Sequence, residues 1–163
     1  MKKNLLLINF LFISFSAFSQ QPGTADYLLI KNGFSIFKLG DTIANYSDYI
    51  KINPYYNGGD QIYELIDPGM LQLENDIKIK YLTLTVKQGL IESIDIVVEK
   101  EHKNALLKNL KTNYGEAKDT ESTFWKTKGS KIILAYANQY KSTDMARVVF
   151  LHTDLATDRE SSD

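Results

Sequence analysis

Residues 81–98 read YLTLTVKQGLIESIDIVV. Leu82, Leu84 and Val86 alternate with Tyr81, Thr83 and Thr85; beyond Lys87-Gln88-Gly89, the residues Ile94, Ile96 and Val98 alternate with Ser93, Asp95 and Val97. A period of two marks a pleated strand with one face toward a core. Gly89 can supply the positive φ that a short loop needs, and Thr, Ile and Val suit a half-buried sheet. The stretch therefore predicts an antiparallel hairpin, around which the rest of the chain can be arranged.

On the C-terminal side, Leu106, Leu107, Leu110 and Tyr114 recur at spacings of three and four, the apolar face of a helix. Glu99 and Glu101 stand at its start, Lys108 and Lys111 near its end, and both sets complement the helix dipole. Gly115 is placed to end it through a left-handed conformation. Three further strands, 123–127, 131–140 and 145–152, form a meander joined by Lys128-Gly129-Ser130 and Lys141-Ser142-Thr143-Asp144. In the last of them Ala146, Val148 and Phe150 are apolar, and so are Val149 and Leu151, as in a strand covered on both faces. The second cover is a loop of this chain, a second copy or a partner.

On the N-terminal side, 62–66 and 71–79 are strand material separated by Asp67-Pro68-Gly69. Ile43, Tyr46 and Ile50, at i, i+3 and i+7 after Asp41, predict a first helix capped by Asp41 and stopped before Asn53-Pro54. Tyr27-Leu28-Leu29-Ile30 and Phe34-Ser35-Ile36-Phe37 flank Asn32-Gly33 and predict a small hairpin. The sum is one α+β domain over residues 27–157. Two amphipathic helices pack on one face of a twisted, mainly antiparallel sheet of about six to seven strands. Residues 20–26 are a polar linker and 158–163 a frayed tail.

The first nineteen residues carry Lys2 and Lys3, an apolar run from Leu5 to Phe15 and the small-x-small site Ala17-Phe18-Ser19. This is the pattern of a signal peptide cleaved after Ser19, and the apolar run is short of the roughly 20 residues that cross a bilayer. The protein is expected to be exported, periplasmic or secreted, without stable membrane insertion. Losing two lysines from 19 basic residues leaves 17 against 20 acidic ones, a net charge near −3 with both histidines neutral. Such a balance gives no electrostatic reason to bind nucleic acid. There is no cysteine, which excludes disulfides, thiolate metal sites, cysteine nucleophiles and lipoprotein attachment.

From about Phe34 to Leu151, the order of elements, with Leu39-Gly40-Asp41 before the first helix and Tyr114-Gly115 after the second, resembles small exported helix-then-hairpin modules. These are the outer-membrane assembly lipoproteins and the β-lactamase inhibitor proteins. The resemblance implies a module that works by binding protein, and it carries over no functional residue. The chain departs from both families in having no cysteine, where the lipoproteins need one and those inhibitors carry disulfides.

Catalytic motifs are not found. His102 and His152 have no metal-ligand spacing, no Gly-x-Ser-x-Gly elbow exists, and Gly58-Gly59 lacks the lysine and helix of a phosphate loop. No cofactor is expected. Asp60, Glu64 and Asp67 lie close in sequence, but Asp60 and Glu64 on one strand stand roughly 13 Å apart, outside the separation of a glycosidase pair. The most function-like piece is 53–60, Asn-Pro-Tyr-Tyr-Asn-Gly-Gly-Asp, read as a helix-to-strand loop. It offers Tyr55 and Tyr56, with Tyr63 close behind. Exposed tyrosines bring contact area at little entropic cost. Two functions follow. One is a non-catalytic module that binds another protein, or a second copy of itself, through this loop or an open sheet face. The other is a small-ligand or carbohydrate-binding protein, even an enzyme, with Tyr55, Tyr56 and Trp125 stacking and Asp60 or Glu64 as polar contacts. The structural alternative makes Trp125 a core anchor and one tyrosine a cover for the sheet.

Overall fold

A computed structural model describes residues 22–54, 60–67, 69, 71–73, 77–117, 123–127, 129, 131–137 and 144–157. The expected leader, Tyr55 and Tyr56, and the tail at 158–163 lie outside these residues. In chain order the elements are α1 (Tyr27–Lys31), β1 (Gly33–Phe34), β2 (Phe37–Lys38), β3 (Ile50–Ile52), β4 (Gln61–Leu65), β5 (Gln72–Leu73), β6 (Ile77–Lys87) and β7 (Leu90–Val98). There follow α2 (Lys103–Tyr114), β8 (Thr123–Lys126), β9 (Ile132–Ala137), β10 (Ala146–His152) and α3 (Thr153–Thr157). Seven strands form one sheet in the order β3-β4-β6-β7-β10-β9-β8, with β5 pairing to β6 off this path. β1 and β2 form a separate pair, and every pairing among the described residues is antiparallel. The fold is α+β, as the alternation predicts.

The β6–β7 hairpin is its centre. Lys87 pairs with Leu90 across Gln88 and Gly89, whose φ values of 51° and 80° are the two positive angles of a type I′ turn. Leu82 pairs with Ile96 and Leu84 with Ile94, and all four are buried. Near the turn the register slips: Thr85 faces Ser93 but Val86 faces Ile91, a β-bulge that leaves Glu92 as the extra residue. Ile91 and Glu92 are consequently both buried.

α2 lays Leu106, Leu110 and Tyr114 into the core, with Leu107 partly buried beside them. It ends at Gly115, where φ is 78° and the N–H donates to the Lys111 carbonyl oxygen at 2.8 Å. A Cβ on Gly115 would stand 2.5 Å from the Gly23 carbonyl oxygen, so this position requires glycine twice over.

Only one of the two expected amphipathic helices is present. The Ile43–Tyr46 segment is a four-residue 3-10 turn, and Ile50 opens β3 opposite Leu65. Three apolar residues at helical spacing are satisfied equally by a turn leading into a strand. Asp41 makes no helix cap; its Oδ2 accepts from the Tyr46 hydroxyl at 2.7 Å. Burial and this bond push the Tyr46 hydroxyl up to about 12. The first hairpin is also displaced. Tyr27–Lys31 is helical, Asn32 closes it in the left-handed region with φ 45°, and the strands pair as Gly33 with Lys38 and Phe34 with Phe37. On β10, Ala146, Val148 and Phe150 are buried while Arg147, Val149 and Leu151 are half-buried. Arg147 reaches Asp95 of β7 through Nε at 2.9 and 2.8 Å and through a closer Nη2 contact.

Candidate functional site

The tyrosine loop belongs to a β-hairpin. β3 and β4 pair in the register Ile50 with Leu65, Lys51 with Glu64 and Ile52 with Tyr63, so residues 53–60 join two strands and not, as expected, a helix and a strand. β3 is the end strand of the sheet. The Asn53 N–H donates to the Ile62 carbonyl oxygen at 2.7 Å, and Asn53 Nδ2 donates to Glu64 Oε1 at 2.5 Å. Glu64 therefore clamps the entry to the loop and is not a free acid. Asp67 likewise accepts the Gly69 N–H at 2.8 Å, fixing the turn after β4.

Asp60 is half-buried where the loop re-enters β4. Tyr63 packs partly against the core and donates its hydroxyl to Gln61 Oε1 at 3.1 Å. Around them the edge is apolar. Ile52, opposite Tyr63, is 53% exposed, Ile66 55% and Tyr49 38%. The Ile66 N–H donates to the Tyr49 carbonyl oxygen at 3.0 Å, which sets these two residues side by side. The edge thus exposes Ile52 on the face of Tyr63, and Tyr49 and Ile66 on the opposite face, three residues that the pattern of the sequence did not single out.

Trp125 is elsewhere. It sits on β8, the opposite end of the sheet, five strand spacings or roughly 24 Å from β4. Its side chain is fully buried, its Nε1–H donates to the Gly115 carbonyl oxygen at 2.7 Å, and its ring meets Tyr114 edge-on at 6.5 Å between centroids. It is a core anchor, with no face turned to solvent. Tyr114 shares that environment: burial, then the charge of Tyr27, pushes its hydroxyl up to about 12.

Neither histidine joins the edge. His102 lies in a short 3-10 turn ahead of α2. His152 ends β10, where it pairs with Ile132 of β9. The His152 Nδ1 is buried and has no hydrogen-bond partner among the described residues.

Among the described residues no group of three or more acidic or histidine side chains is placed to hold a metal ion. Among them, too, no helix is long and apolar enough to cross a membrane. A scan against protein-family models and searches of curated proteins and of solved structures found no match to this chain.

Proposed function

We propose that the protein is an exported, non-catalytic module of the bacterial cell envelope or exterior that binds another protein through its β3–β4 edge and the tyrosine loop. The observation that carries this reading is an end strand flanked by exposed apolar side chains, Ile52 on one sheet face and Tyr49 and Ile66 on the other, each more than a third exposed. Scattered surface apolar residues are ordinary, whereas grouped ones mark contact surfaces. An end strand also offers an unpaired row of backbone donors and acceptors to an extended segment of a partner. Tyr55 and Tyr56 stand three and four positions beyond Ile52 in the sequence, and tyrosine is a residue type suited to binding surfaces. Export rests on the leader-like first nineteen residues. The carbohydrate reading is less well supported, because its largest stacking group, Trp125, is buried at the far side of the sheet.

The test is retention. Tagged protein spanning residues 20–163 is incubated with envelope and secreted extract, beside Ile52→Asp and Tyr55→Ala/Tyr56→Ala variants. A stoichiometric partner lost in both variants supports the reading. A folded protein that retains nothing, or a partner held equally by both variants, rejects it.

A further inference from the structure

Between the β1–β2 hairpin, α2 and the core face of β7 and β10, the chain leaves a cavity of about 210 Å³. Ile96, Val148 and Phe150 form its floor, and Leu106, Leu110 and Tyr114 its helical wall. Lys31, Ser35, Asn109 and Asn113 supply its polar lining, and among the described residues no acidic residue lines it. An apolar body with one polar end matches this division of surfaces.

Size and charge narrow the class. A dry apolar cavity of roughly 150 Å³ accepts a benzene ring, so 210 Å³ holds one ring with a short substituent. The Lys31 ammonium lies 5.4 Å from the centroid of the Tyr27 ring, and that ring packs against Tyr114 of the cavity wall at 6.3 Å. Lys38 adds a second cation nearby, since its Nζ donates to the Lys31 carbonyl oxygen at 2.7 Å. Among the described residues no carboxylate forms an ion pair with Lys31. Asn113 Nδ2 donates to both oxygens of Asn109, at 2.9 and 3.2 Å, while the Asn109 side-chain N–H groups donate to none of the described residues. A cation and free amide donors in the lining are complementary to a carboxylate.

We propose that this cavity binds a small amphipathic acid: one aromatic or branched aliphatic body with a single carboxylate, the carboxylate at Lys31 and Asn109. This site is separate from the β3–β4 edge and does not depend on protein binding there. The purified protein is titrated with 3-phenylpropionate and with its neutral counterpart 3-phenylpropanol, followed by calorimetry and by NMR. The expected result is saturable one-to-one binding, with the acid favoured roughly fivefold at low salt. That preference is lost in Lys31→Met, and binding is abolished by Asn109→Phe, which adds a ring to the lining. Nuclear Overhauser contacts from the ligand ring to the methyls of Ile96, Val148 and Leu106 locate the ligand in the unaltered protein, whatever the variants do to folding. Absence of saturable binding, contacts to other methyls, or equal affinity for acid and alcohol would overturn the proposal.

Discussion

The indole N–H of Trp125 donates to the carbonyl oxygen of Gly115 at 2.7 Å, joining the end strand β8 to the C-terminus of α2. The helix is thereby fastened to the sheet at the residue where it stops. Trp125→Phe keeps most of the ring but removes the donor, and is expected to destabilise the protein by about 1–3 kcal/mol in urea unfolding. In the unaltered protein, acrylamide should scarcely quench the tryptophan emission, since the side chain is fully buried.

Two glycines with positive φ should respond differently to alanine. At Gly89 an added Cβ meets nothing within 4 Å, so only the backbone conformation opposes it, at about 1 kcal/mol. At Gly115 the backbone, with φ 78° and ψ −171°, lies in a region essentially reserved for glycine and not in the expected left-handed helical one, and an added Cβ would also stand 2.5 Å from the Gly23 carbonyl oxygen. Gly115→Ala should therefore lower the urea midpoint well beyond Gly89→Ala. Equal effects would mean that the N-terminal segment around Gly23 is not held against α2.

Stability should decline at alkaline pH through the tyrosines. Tyr46 and Tyr114 have hydroxyls pushed up to about 12 from an ordinary 10, mainly by burial, with the Asp41 hydrogen bond adding to Tyr46. A raised value means that the fold favours the protonated hydroxyl. The contribution is complete below pH 10 and is lost as pH rises from 10 toward 12. For the largely buried Tyr114 this amounts to about 2–3 kcal/mol at most. Urea midpoints measured from pH 8 to 12 should fall less steeply in Tyr114→Phe than in the unaltered protein.

The opposite sign holds at Asp144. Its carboxylate lies 2.6 Å from Lys100 Nζ and 3.1 Å from Lys103 Nζ, and these two lysines hold it below the usual carboxylate range. The tether between the segment before β10 and the start of α2 is therefore present above the ordinary aspartate range and lost as pH falls below it. Amide exchange in the first turn of α2 should quicken in Asp144→Asn, and lowering the pH should add little further effect in that variant.

Legibility in the sequence followed the length and regularity of each element. The β6–β7 hairpin declares itself through eighteen residues of near-continuous alternation, and α2 through four apolar residues on one stripe. Ile43, Tyr46 and Ile50 fit a helix by spacing alone, yet tertiary pairing claims Ile50 for β3. Tyr27–Ile30 has the composition of a strand but forms one turn and a half of helix, closed by Asn32 in a conformation that asparagine tolerates. Glu92 falls on the inward alternation of Ile94 and Ile96, and a bulge, invisible in composition, buries Ile91 beside it. The edge residues Tyr49, Ile52 and Ile66 were hidden for a different reason. Their exposure depends on which strand ends the sheet, and strand order is set by long-range pairing.

The central claim is that the β3–β4 edge is a protein-binding surface. Its most direct test is a photo-reactive phenylalanine analogue at position 52, compared with the same group at the exposed Lys108 of α2, irradiated in the native envelope or secreted fraction. The account predicts one defined heterologous adduct from position 52 and none from position 108. A folded protein that yields no adduct at position 52, or the same adducts at both positions, would contradict it.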